Sequence, residues 1–210
     1  MKIVTSLEEL TETYPRTHII KISSKMARLK FNGCEPDYIR DVCHARCCES
    51  SSSPTGTIIT IHPTEITTIE KRGGIIKNGL LQPREGEKKC PFKSSENLCG
   101  LHFTPDKPFG CIASPFTLNK NNTLIVRNRY RLLKCYNDGN KIPAYLAFSA
   151  SLKIILGEEQ AQQLTEHLDN NGGDAYVTIT DEVYNKLVDN DKIKSQASLK
   201  RSDGHATSKE

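Results

Sequence analysis

The sequence predicts an α+β fold: short strands, helices toward the C-terminus, and between them a small, irregular, cysteine-rich core. Three observations predict it. Short alternating or β-branched runs (HIIKI at 18–22, TIITI at 57–61, LIVR at 124–127, AYVTI at 175–179) are scattered among helical patterns rather than paired with them. The longest helical patterns lie together near residues 144–188. From residue 75 to 123 no period is sustained, and five of the ten prolines fall there.

In order, Ser6-Leu7-Glu8-Glu9 matches a capping box and opens a short helix that Pro15 stops. Residues 18–22 and 28–31 follow as short strands, and Asn32-Gly33 is a turn signal that delivers Cys34. Pro36-Asp37 starts a helix through Tyr38, Ile39 and Val42; continued, it sets Cys43 and Cys47 four apart on one face. Residues 49–54 read as a flexible loop and 57–61 as a strand. Residues 63–72 read as a helix with Ile66 and Ile69 inward, ended by Gly73-Gly74. Pro143 opens an apolar helix over 144–156 that Gly157 ends. A second, amphipathic helix spans 158–168 with Ala161, Leu164 and Leu168 inward. After Asn170-Asn171-Gly172-Gly173 come a strand at 175–179 and a helix at 181–188, then a polar tail. The chain divides into an N-terminal helix and strands (1–33), a cysteine-cluster domain (34–136), a helical part (137–190) and a disordered tail (191–210).

Hydrophobic residues are 36% of the chain and there is no tryptophan, so the middle has little apolar surface to bury. All eight cysteines lie there, at 34, 43, 47, 48, 90, 99, 111 and 135. No secretory leader or membrane-spanning run is visible, so a cytoplasmic location without membrane contact is expected. Cytosolic thiols stay reduced, and eight of them point to metal rather than to disulfides. A bound metal also compensates for a thin core, since a structural zinc site supplies on the order of 10 kcal/mol of folding energy. Adjacent Cys47 and Cys48 are awkward ligands for one tetrahedral ion and suit neighbouring metals or a cluster. An iron–sulfur cluster is therefore favoured over zinc, with all eight cysteines as ligands.

The spacing, C-x8-C-x3-CC then C-x8-C-x11-C, is not the tandem knuckle of zinc ribbons. Three segments carry a likeness: CHARCC at 43–48; Cys90-Pro91-Phe92 followed by Cys99-Gly100-Leu101-His102; and Lys107-Pro108-Phe109-Gly110-Cys111 running on to Pro115. Across residues 34–116 the chain resembles the YkgJ-type cysteine-cluster family, domains described as chelating zinc or iron. The resemblance implies a bound metal centre and names no substrate. Cys34 departs from the family's tighter entry spacing, and His102 stands where the family often has Tyr, either as a ligand or as a neighbour.

His44 is expected to face solvent or a carbonyl. His18, His62, His167 and His205 read as ordinary surface or strand residues. The run Arg127, Arg129, Tyr130, Arg131 and Lys134 is the most basic, and the formal charge is +4. It reads either as a nucleic-acid or substrate contact with Tyr130 stacking, or as a strand whose alternate residues face water. Three functions remain open. One is metal binding alone. The second is an iron–sulfur-dependent isomerase, lyase or redox enzyme modifying a nucleic-acid base or an amino-acid side chain. The third is a zinc-stapled interaction module docking through 144–168. No catalytic triad, phosphate loop, dinucleotide fingerprint or HExxH string is present.

Overall fold

The structure is a computed structural model describing residues 17–49, 59–102, 104–137 and 141–188. The helix expected from Ser6, most of the 49–54 loop and the polar tail lie outside the described residues. The fold is α+β.

Strand β1 (Thr17–Ile22) leads through helix α1 (Ser24–Ala27) to β2 (Lys30–Phe31). The Ser23 side chain accepts the Met26 N–H and starts that helical turn, so the strand expected over 28–31 begins only at Lys30. Helix α2 (Pro36–Tyr38) runs into a π-helical turn, Ile39–Cys43, and a 3₁₀ turn covers Arg46–Cys48. A 3₁₀ turn, Pro63–Glu65, opens α3 (Ile66–Lys71), capped by His62 and Glu65 acting reciprocally. The strand expected over 57–61 reduces, among the described residues, to one bridge between Thr60 and Leu80.

Strands β3 (Ile76–Lys77) and β4 (Leu80–Leu81) form a hairpin. Asn78 and Gly79 both take positive φ there, 52° and 71°, as a two-residue hairpin turn requires. Helix α4 (Phe109–Ile112), β5 (Phe116–Leu118) and β6 (Thr123–Val126) follow. The basic run is not a strand: Asn128–Leu132 is a 3₁₀ helix and α5 spans Lys134–Asn137. Strand β7 (Ile142–Pro143) precedes α6 (Ala144–Ala147) and α7 (Ser149–Leu156), two helices where one was expected because the chain bends at Phe148. Helix α8 (Glu158–Asp169), β8 (Ala175–Thr180) and α9 (181–188) complete the described residues.

The main sheet has the order β5-β6-β1-β8, with β1 parallel to β6 and antiparallel to β8. It thus takes strands from before, within and after the cysteine-bearing stretch. Ile20, Ile22, Leu124, Val126 and Ile179 of the sheet pack with Leu152, Ile155, Leu164 and Leu168 of α7 and α8 in the principal core. The cysteine-rich half has a second core of four buried residues, Ile61, Ile69, Leu81 and Leu101, on which Cys90 and Cys99 rest. Among the described residues no helix is long and apolar enough to cross a membrane.

Candidate metal centre

All eight cysteines line one cavity of about 710 Å³. Local backbone geometry brings them there. Asn32 donates its N–H to the Cys135 carbonyl (2.8 Å), which sets α5 beside the loop carrying Cys34. The π-helical turn ends at Cys43, and His44 and Ala45 both adopt left-handed backbone, with φ of 51° and 44°. This break overturns the expectation that a continuing helix puts Cys43 and Cys47 on one face. Instead the bend turns the Ala45 and Arg46 N–H groups onto the Cys43 sulfur, as in backbone anion-binding nests.

The other cysteines are tied to this segment from across the loop region. The Cys90 N–H donates to the Cys48 carbonyl (2.9 Å), next to a Glu49–Lys89 bridge. A Lys93–Cys99 bridge and a Gly100 N–H to the Phe92 carbonyl (2.8 Å) fold Cys99 back toward Cys90. Lys93, 3% exposed, donates through Nζ to the His44 carbonyl (2.6 Å) and to Glu49 Oε1 (2.7 Å). Glu65 Oε1 accepts the Phe109 N–H (2.7 Å) and so anchors the turn that carries Cys111 to α3.

The eight thiols are free, with no disulfide among them. Burial raises the thiols of Cys111 and Cys135 to about 12 and that of Cys90 to about 11, and neighbouring sulfurs add to it, while Cys34 lies exposed at the rim. N–H groups of Phe92 and Tyr136 facing Cys90 and Cys135 act the other way. Cys47 and Cys48 lie 3.9 Å apart, sulfur to sulfur. The hydrogen bond between them brings Cys47 down to about 7 against burial, with help from Arg129 and Lys107, and drives Cys48 up. Metal binding at such thiols displaces protons.

The wall also carries Arg46, Lys107, Arg127, Arg129 and Lys134, against Glu35 as its single carboxylate among the described residues. Four of the five residues expected to contact nucleic acid or substrate therefore line this cavity: Arg127, Arg129, Tyr130 and Lys134. Arg127 and Tyr130 are buried; the Arg129 guanidinium lies 5.4 Å over the Tyr130 ring. Arg131 turns away, toward the Met26 sulfur. His102 lines the cavity with Nδ1 3.1 Å from Lys107 Nζ, and burial with that charge holds its imidazole below the usual range. His44 bonds the Arg40 carbonyl at 2.8 Å, in line with the expectation that it faces solvent or a carbonyl. Lys93, Lys107 and Arg46 were not singled out from sequence; their proximity to Cys90, Cys111 and Cys47 in the motifs was the only signal.

Among the described residues, no group of three or more His, Cys, Asp and Glu side chains is gathered closely enough to hold a metal ion. The donor chemistry fits soft or borderline metals, while the thiols surround a space wider than one ion's coordination shell. Compared with protein-family models, characterised proteins and solved structures, the chain matches none.

Proposed function

We propose that this is a metal-binding cysteine-cluster protein whose thiols hold a polynuclear centre, an iron–sulfur cluster ahead of zinc. The observation that carries the reading is that eight cysteines, spread from residue 34 to 135, all line one cavity. The likeness of residues 34–116 to YkgJ-type domains points the same way. Such a centre, once bound, supplies electron transfer if it is iron–sulfur and Lewis acidity or structural cross-linking if it is zinc.

The chain's own residues prepare for it. N–H groups at Cys43, Cys90 and Cys135 partly offset the burial that raises these thiols. A divalent ion with four thiolates retains net negative charge, and the cationic wall offsets it. That role accounts for the buried Arg127 and for Arg129 without nucleic acid; the enzyme and interaction-module alternatives need a bound partner to support them. The test is anaerobic preparation followed by iron, zinc and sulfide analysis with visible and EPR spectra. Iron with acid-labile sulfide and thiolate-to-iron absorption is expected. Colourless protein with stoichiometric zinc would replace the iron version with the zinc one.

A further inference from the structure

We propose that the cysteine-lined cavity is also a binding site for a small organic anion, a carboxylate or phosphate ester carried on an apolar body. The inference goes beyond the metal-binding reading and does not depend on it.

The cavity's size and wall suit such a ligand. A volume of about 710 Å³ lies within the range of sites that enclose small molecules, roughly 300–1,000 Å³. Besides the cysteines the wall is largely apolar, with Ile39, Leu98, Leu133 and Phe148 among its residues. Such a wall holds a hydrocarbon or aromatic body, and a few placed polar groups fix the head.

Charge selects the head. Arg46 pairs with Glu49 at 3.2 Å. Lys107, Arg129 and Lys134 join no ion pair with a carboxylate among the described residues. The Lys107 ammonium contacts His102 Nδ1, and the Arg129 guanidinium sits over the Tyr130 ring. Lys107 and Arg129 are half-buried, so water screens them only in part. They stand on different segments, one just before α4 and the other in the 3₁₀ helix Asn128–Leu132. Both charges nevertheless reach the Cys47 sulfur, so they approach one part of the cavity. The wall's single carboxylate among the described residues, Glu35, is exposed. An anionic head between the two cations gains charge-assisted hydrogen bonds, the guanidinium as a fork of donors and the ammonium as a point charge.

The same geometry disfavours a nucleic-acid strand. Tyr130 is 6% exposed and Arg131 turns away, so neither a stacking face nor a continuous basic stripe is open.

The experiment titrates the full-length chain, prepared without oxygen and with its metal content measured, with the fluorescent probe anilinonaphthalene sulfonate. Saturation at one probe per chain is expected. Octanoate and hexyl phosphate are expected to displace the probe, the stronger of the two identifying the head group. Octanol, an uncharged analogue of octanoate, is expected to compete about tenfold less well or worse, and this comparison needs no variant to fold. Lys107→Gln and Arg129→Gln, checked for folding by circular dichroism, are each expected to weaken the better competitor about tenfold. The exposed Lys71→Gln should leave it unchanged. Folded wild type that does not bind the probe, octanol as effective as octanoate, or displacement by a single-stranded oligonucleotide alone overturns the anion site. Metal-loaded chain that fails to bind overturns this site only. Metal-free chain that binds the probe and takes up no added iron or zinc overturns only the metal-binding reading.

Discussion

At the residue scale, the bend at His44 and Ala45 shows what the cysteine spacing demands. Non-glycine residues in left-handed backbone cost roughly 1–2 kcal/mol each. The compensation is local: the Ala45 and Arg46 N–H groups meet the Cys43 sulfur, and Lys93 Nζ holds the His44 carbonyl. CHARCC marks a cysteine cluster, but the pattern does not announce the bend, because Lys93, which holds the His44 carbonyl, lies far along the chain. Arg129 is the residue whose charge bears most directly on Cys47, as the first cation acting on its thiol. Arg129→Gln is expected to lose metal to a chelator several-fold faster than wild type, and an iron–sulfur centre in it to shift to lower potential. Lys71→Gln, an exposed change on α3 away from the cavity, is the control and should leave both unchanged. Equal behaviour of the two variants would remove the charge-offsetting role.

At the element scale, the helices and strands near the C-terminus were legible because their periods are long and their ends are marked. Gly157, with φ of 81°, separates α7 from α8, and Ala161, Leu164 and Leu168 are buried as the period requires. The β3–β4 hairpin was not read from the sequence, although Asn78-Gly79 between apolar pairs is a turn with a known cause, because it is short and lies in a stretch without sustained period. Of the two readings of the basic run, the strand fails because Tyr130 is buried by a 3₁₀ turn, whose period resembles neither a strand nor a long helix. One joint between elements titrates. Asp174, just before β8, accepts from Lys21 of β1 and from the N–H and hydroxyl of Ser24 at α1. Lys21 first, then Ser24, hold its carboxyl down to about 2. A depressed carboxyl contributes its stability above the unfolded value of about 4 and loses it as pH falls toward 2. The melting temperature of wild type should therefore exceed that of Asp174→Asn at pH 6, with the gap closing below pH 4. A gap that is constant across this range would mean the joint does not depend on the charge.

At the scale of the whole molecule, two cores of unequal size explain the division of labour. The sheet with α7 and α8 buries a continuous apolar layer, whereas the cysteine-rich half closes on Ile61, Ile69, Leu81 and Leu101. The thin middle could be foreseen from composition. That every thiol would border one space could not, because it depends on β1 pairing with both β6 and β8 and on Asn32 meeting Cys135. The resulting account is that sulfur–metal bonds replace missing apolar burial across that half. Its most direct measurement is the mass of the intact, anaerobically prepared chain by native mass spectrometry, before and after acid denaturation. The account predicts a native mass excess of bound metal, with sulfide where the centre is iron–sulfur, that disappears on denaturation. A chain that is fully folded at its bare polypeptide mass, and whose melting is unchanged by a strong chelator, would contradict it.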